Sequence, residues 1–207
     1  DVPLQLGGEL YVDATGPLRV RGGIGYLPGA YMRAANEILV GAFPRYTEDD
    51  ADLVDSTVGN SLLWQIAAGF VTGDNEGIYV TAGYTAATFA GAVASGELIA
   101  RATDRDIPDR LKNRYGDREF DIDSTLHQAD IEIGVEWKFN HLSLRSGIGW
   151  AWTFASSATV RAKFGDDNQK AQETLDKIES EAESHLNNTY RSYVHPPYLS
   201  VGMGFAF

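Results

Sequence analysis

The sequence predicts an all-β chain: a transmembrane, antiparallel, up-and-down β-barrel of about eight strands, seven of them readable. Three observations lead there. Apolar residues recur at every second position in seven runs, short and long connections alternate between the runs, and aromatic residues gather at both ends of the runs. A strand crossing a bilayer needs one apolar face toward lipid and one small or polar face toward the interior, and alternation supplies both.

Residues 4–14 place Leu4, Leu6, Leu10 and Val12 on one face and Gln5, Glu9, Tyr11 and Asp13 on the other. Residues 18–27 turn Leu18, Val20, Ile24 and Tyr26 outward, with Arg19 and Arg21 inward. Residues 62–72 set Leu62, Trp64, Ile66 and Phe70 against Gln65, Ala67 and Gly69. Residues 78–89 set Ile78, Val80, Ala82 and Tyr84 against Thr81, Gly83 and Thr85. The clearest interior run is 127–139, where Ile131, Ile133, Val135, Trp137 and Phe139 alternate with Asp130, Glu132, Gly134, Glu136 and Lys138. Residues 142–154 follow, with Leu142, Leu144, Ile148, Trp150, Trp152 and Phe154 outward. The seventh run is Tyr198–Phe207, in which Leu199, Val201, Met203, Phe205 and Phe207 alternate with Ser200, Gly202, Gly204 and Ala206. Each run is about the 9–11 residues that a tilted strand needs to span a bilayer.

Thr15-Gly16-Pro17, Gly73–Gly77 and Asn140-His141 are short and rich in turn formers. Residues 29–60, 91–125 and 155–196 are long, charged and irregular, and read as the long loops of a single barrel domain over 1–207. Within the last, residues 167–187 read as a helix, with Asp166 as N-cap, Gln169 in a capping-box position and a stripe of Ala171, Leu175, Ile178, Ala182 and Leu186. That helix packs on neighbouring loops or docks a partner. Phe70, Trp137, Phe139, Phe205 and Phe207 fall near the short turns; Tyr26, Trp64, Tyr84, Trp150, Trp152, Phe154 and Tyr198 fall toward the long loops. Two aromatic belts are expected at the two faces of a membrane. A soluble β-sandwich would need a second sheet to cover these apolar faces.

Composition agrees. The mean hydropathy of -0.23 looks soluble, but lipid-facing and interior residues average out in a barrel. No run of about 18 apolar residues exists, which excludes a transmembrane helix. There is no cysteine and hence no disulfide framework. A signal peptide is lacking, and Asp1 reads as the start of a processed chain. The net charge of -12 argues against a nucleic-acid partner.

An aromatic residue, Phe207, closing an alternating strand resembles the signal by which Gram-negative outer-membrane barrels are recognised for insertion. In pattern, though not in motif, the chain is similar to small outer-membrane barrels of the OmpA/OmpX type. The resemblance implies an integral protein of the bacterial outer membrane, inserted by the barrel-assembly machinery, with its long loops extracellular and no cofactor. Trp64, Trp137, Trp150, Trp152, Phe205 and Phe207 are then the lipid-facing and insertion residues. It also exposes a problem of parity. With Phe207 at the periplasmic end, residues 4–14 descend, and an ascending strand before them is missing. An odd strand count or an overlooked strand would also account for this; within 155–164, Ala158–Phe164 has an alternative reading as an extension of the sixth strand above the membrane. We favour eight strands, the first absent from this chain or hidden from pattern reading.

Fold does not fix function. The leading expectation is a non-catalytic surface or scaffold barrel that presents acidic extracellular loops to a protein partner. The alternatives are a porin-like small-solute channel and, more remotely, a lipid-modifying hydrolase. The first chemical candidates are the inward charges Asp13, Arg19, Arg21, Asp130, Glu132, Glu136, Lys138 and Arg145. A two-residue turn at 140–141 sets Glu136 across from Arg145, and the turn at 15–17 sets Asp13 across from Arg19 and Tyr11 across from Arg21. Charges in a narrow interior require opposite-charge neighbours, so these residues form a salt-bridged filling or line a pore. The many inward glycines and alanines, among them Gly83, Gly134, Gly147 and Gly149, point to tight curvature or to another segment inside. His141-Leu142-Ser143 has the His-x-Ser spacing of lipid A deacylases but sits in a short turn with no acidic partner beside it. The acidic stretch 48–55 lacks the ligand spacing of a calcium loop, and no metal site is expected.

Overall fold

The computed structural model describes residues 6–13, 16–26, 37, 40–41, 60–73, 76–94, 119–139, 142–163, 169–195 and 197–205. Alternation becomes strand in every run. The strands are β1 (Leu6–Asp13), β2 (Leu18–Tyr26), β3 (Asn60–Val71), β4 (Glu76–Ala94), β5 (Glu119–Phe139), β6 (Leu142–Ala162) and β7 (Pro197–Phe205), with helix α1 (Gln169–Tyr193) between the last two. Each strand pairs antiparallel with the next, giving one sheet in chain order from β1 to β7. No ladder joins β7 to β1 among the described residues, so the sheet is open.

The sheet nonetheless curls strongly. The Tyr11 hydroxyl of β1 lies 3.1 Å from Ser143 Oγ of β6, and Arg145 of β6 donates to Glu9 of β1 at 2.6 Å. Strands far apart in the pairing order thus meet across one concave face. The short hairpins set this register. Phe139 pairs with Leu142 and Glu136 with Arg145, while Asp13 pairs with Arg19 and Tyr11 with Arg21, as the turn lengths require. Gly16 and Gly73 supply the positive φ of 68° and 78° in two of the turns, a conformation that costs glycine least. At the second, Thr72 N–H donates to the Ile78 carbonyl and Ile78 N–H to Thr72 Oγ1, at 2.9 and 3.0 Å.

Strand length divides the molecule into two tiers. β4, β5 and β6 run 19, 21 and 21 residues, against 8 to 12 for the other four strands. In the lower tier all seven strands turn large apolar side chains to the convex face, including Val20, Trp64, Ile78, Ile133, Ile148 and Val201. In the upper tier the same faces carry Thr88, Asp121, Asp123, Thr125, Ser157, Thr159 and Arg161, while Phe89, Phe120, Ile122, Leu126 and Val160 lie buried on the concave side. This corrects the loop limits expected at 91–125 and 155–196: β4 extends to Ala94, β5 begins at Glu119 and β6 ends at Ala162. The extra length alternates too, with its apolar positions turned to the other side. A β-bulge marks the change of tier. Gln128 pairs with Thr153 and His127 with Ala155, leaving Phe154 unopposed.

α1 covers the edge that the upper tier would otherwise expose. β7 pairs β6 only from Leu142 to Trp150, so beyond that point the N–H groups of β6 that face away from β5 have no strand partner. Glu179 Oε1 accepts from Ala162 N–H at 2.7 Å, Glu183 Oε1 from Val160 N–H at 3.0 Å and Asn187 Oδ1 from Ala158 N–H at 3.0 Å. Four residues of helix rise about 6.0 Å and two residues of strand about 6.6 Å, so helix period and strand period stay in step. The expected stripe is buried on the other flank: Leu175, Ile178, Ala182 and Leu186, extended by Tyr190, pack on Phe120, Ile122, Leu126 and Val160. The helix therefore packs on the concave face of the strands. Of the expectations made for this helix, Asp166 lies outside the described residues, as does the side chain of Ala171.

Candidate functional site: the concave interior

Below the α1 cluster the concave face is charged. β2 contributes Arg19 and Arg21, with 3% and 2% of their side chains exposed, and β5 contributes Glu136 and Glu132, with 3% and 1%. Arg19 donates to Glu136 at 2.6 Å and Arg21 to Glu132 at 2.6 Å. Both pairs reach across the curl from β2 to β5. Arg19 also holds Asp13 by two hydrogen bonds, of 2.5 and 3.0 Å, and its guanidinium lies 4.3 Å from the centre of the Tyr11 ring. Lys138 stands 3.7 Å from Asp13 at the short-turn end.

Glu132 is the centre of this network. Besides Arg21 it accepts from Tyr79 at 2.5 Å, from Ser200 at 2.6 Å and from Tyr198 at 3.3 Å. Its neighbour Asp130 accepts from Thr85 at 2.9 Å and from Gln65 at 3.3 Å. Carboxylates buried this completely stand only where donors surround them, and here the donors come from β2, β3, β4 and β7. The glycines on this face make room for those donors. A Cβ at Gly134 or Gly147 would collide with the Tyr79 ring or hydroxyl, and one at Gly149 with the Tyr198 ring. The space that suggested an inserted segment is therefore taken, at these positions, by two tyrosines.

All eight charged residues expected in the interior lie on this face, but one pairing needs correction. Glu136 and Arg145 are cross-strand partners in the ladder, yet their charges go elsewhere, Glu136 to Arg19 and Arg145 to Glu9. Tyr198, expected in the upper aromatic belt, points inward instead: it shares the parity of Ser200, opposite Leu199 and Val201. Tyr79, Glu9 and Ser200 also join the network, and their parity with Thr81, Tyr11 and Gly202 was the available signal.

On the convex face Trp64, Trp150 and Trp152 are exposed, the last two with ring centres 6.3 Å apart. Trp137 is half-buried there and donates to Glu76 at 3.1 Å. Phe205 pairs through its backbone with Leu142. Phe207, the His141 turn and the acidic stretch 48–55 lie outside the described residues. At the bulge, Tyr84, His127 and Phe154 form an aromatic cluster on the convex surface, with the Tyr84 hydroxyl 2.5 Å from His127 Nδ1. At the far end of the upper tier, hydrogen bonds to Asp121 and Glu119 raise the pKa of the Lys163 ammonium. Among the described residues no group of three His, Cys, Asp or Glu is placed to hold a metal ion. No family model, curated protein or solved structure matches this chain.

Proposed function

We propose that this chain is an outer-membrane β-barrel of the OmpA/OmpX kind, serving as a non-catalytic scaffold that presents acidic extracellular loops to a protein partner. One observation carries the membrane part of the reading. The polarity of the two sheet faces inverts at a single level, near the bulge at His127 and Phe154. Below it the apolar face is convex and uncovered; above it the apolar face is concave and covered by α1. Water cannot favour both arrangements in one molecule, because soluble monomers rarely expose apolar patches beyond a few hundred Å². Lipid around the lower tier and water around the upper accounts for both.

The scaffold part follows from the filled interior. Ion pairs and tyrosines occupy the lower concave face and α1 the upper one, which disfavours a solute path. The segment 29–60 carries Glu37, Glu48, Asp49, Asp50, Asp52 and Asp55 against Arg33 and Arg45, an acidic composition suited to a basic partner. Single cysteines along β5, in a chain that has none of its own, test the reading. Asp121→Cys, Asp123→Cys and Thr125→Cys should react with a membrane-impermeant maleimide on intact cells, while Ile131→Cys, Ile133→Cys and Val135→Cys should not. Equal labelling of both groups removes the membrane assignment. Steady conductance of the purified protein in planar bilayers would replace the scaffold reading with the channel.

A further inference from the structure

We infer that the convex face of the upper tier holds a binding site for the sugar headgroup of an uncharged glycolipid, in a trough just above the level where that face changes from apolar to polar. The site rests on the membrane reading above and adds a ligand class that the scaffold reading does not contain.

The ladder registers lay the trough out. Tyr26 pairs with Leu62, Leu62 with Thr88, Thr88 with Thr125 and Thr125 with Ser157, so these side chains form one row from β2 to β6. Directly opposite residues share a face of the sheet. One outward step higher, Ala90 pairs with Asp123 and Asp123 with Thr159. Both rows line a single recess of about 520 Å³, a size within the roughly 300–1,000 Å³ of small-molecule sites. The recess follows from side-chain size. The row below carries Trp64 and His127, with Phe154 at the bulge, and the row above carries Arg161. Between them, β4 to β6 carry only Ala90, Asp123 and small hydroxyl side chains.

The polar groups of the trough are unspent. Among the described residues, Asp123, Thr125, Ser157 and Thr159 make no side-chain hydrogen bond or ion pair. Thr88 donates to the Leu62 carbonyl at 3.2 Å and keeps its lone pairs. A hydroxyl donates and accepts, and a carboxylate accepts through both oxygens, so the set complements a polyol. An anionic headgroup would meet Asp123 and find no lysine or arginine among the described lining residues. Lys163, higher on the same face, is held by Glu119 and Asp121 at 3.1 and 2.9 Å. An ammonium headgroup only donates, which suits Asp123 but leaves the hydroxyl donors around it unused. The lower rim selects a lipid over a free sugar. Tyr84, His127 and Phe154 cluster there with ring centres between 6.0 and 6.5 Å apart. The electronegative faces of such rings receive the C–H side of a sugar, and aromatic belts stand at headgroup level. Beneath them Trp64, Ile66 and Ile131 begin the exposed apolar wall. A soluble sugar has no use for that wall, whereas a glycolipid lays its chains along it.

The test uses the purified protein in phosphatidylcholine nanodiscs that contain glucosyl diacylglycerol, phosphatidylglycerol or phosphatidylethanolamine in turn. Native mass spectrometry should find glucosyl diacylglycerol retained about tenfold above either phospholipid. Methyl glucoside in large excess should displace it from the unaltered protein, a readout that needs no variant. Asp123→Ala should lower the retention about tenfold, the loss of one charge-assisted hydrogen bond. Thr125→Val with Ser157→Ala should lower it by a similar factor, with circular dichroism unchanged. Asp176→Ala, an equal loss of charge at an exposed position of α1, should leave it as it was. Equal retention of the three lipids, preference for either phospholipid, no displacement by methyl glucoside, or unchanged retention in both trough variants would overturn the inference. So would methyl glucoside binding as tightly as the lipid, which would make this a site for a soluble sugar. Those results leave the membrane reading intact, whereas failure of the β5 labelling pattern removes both.

Discussion

The lower and upper tiers of β5 are built from one strand with one alternation, yet they solve opposite problems. Below the bulge Glu132 and Glu136 are buried on the concave face while Ile131 and Ile133 stand exposed. Above it Phe120, Ile122 and Leu126 are buried on that same face, while Asp121 and Asp123 stand exposed. Even-numbered residues point inward throughout. Only the chemistry assigned to even and odd positions changes. The difference teaches that a period of two specifies a strand, whereas the surroundings specify which face is apolar. It also separates two sources of stability, charge pairing in one tier and apolar packing in the other.

The largest expected effect tests the charged tier. Glu132→Leu leaves Arg21 buried without its main partner and should destabilise by about 3–5 kcal/mol in denaturant unfolding of the protein in lipid or detergent. Replacing Arg21 and Glu132 together by leucine should cost less than either change alone. Next comes Leu186→Ala in the apolar tier, which opens a cavity under α1 worth about 2–5 kcal/mol. It should raise protease sensitivity around α1 while leaving membrane extraction unchanged, and lost insertion would contradict the division into tiers.

The third contrast sets one substitution at two heights on the convex face of β5. With the lower tier in lipid, as proposed, Ile133→Arg should cost about 2–4 kcal/mol of folding stability. Thr125→Arg should stay within about 0.5 kcal/mol, as surface changes do. Equal effects would break the comparison. The smallest effect sharpens it. Glu183→Ala leaves the Val160 N–H without its acceptor and should cost about 1–3 kcal/mol. Glu183→Gln keeps an acceptor and should recover most of that, read as hydrogen-exchange protection at Val160.

Much of the lower tier was legible in the sequence because alternation and turn length act locally. Phe139 and Leu142 fix the β5–β6 register through a two-residue connection, and the outward facing of Trp137, Trp150 and Trp152 follows from it. The upper parts of β4 and β5 escaped because their apolar residues are buried under a helix that is distant in sequence. Glu119-Phe120-Asp121-Ile122-Asp123 alternates as strictly as the run below it, but its charges resemble a loop. The true partners of Glu136 and Arg145 escaped for a different reason. Ladder register is a matter of neighbouring strands, while guanidinium reach across a curled sheet depends on curvature that no single hairpin encodes. Tyr79 and Tyr198 fill space that only the assembled face defines.

The grip of α1 on β6 has a consequence for how this molecule can change over time. Glu179, Glu183 and Asn187 hold main-chain amides of Ala162, Val160 and Ala158, groups that every residue except proline possesses. The outward side chains between them, Ser157, Thr159 and Arg161, take no part in that attachment. They are free to drift in charge and shape under selection by whatever they face, without loosening the helix. Proline at 158, 160 or 162 is the substitution this arrangement forbids. The molecule thus pairs a clasp on the β6 main chain with a wall whose side chains can change.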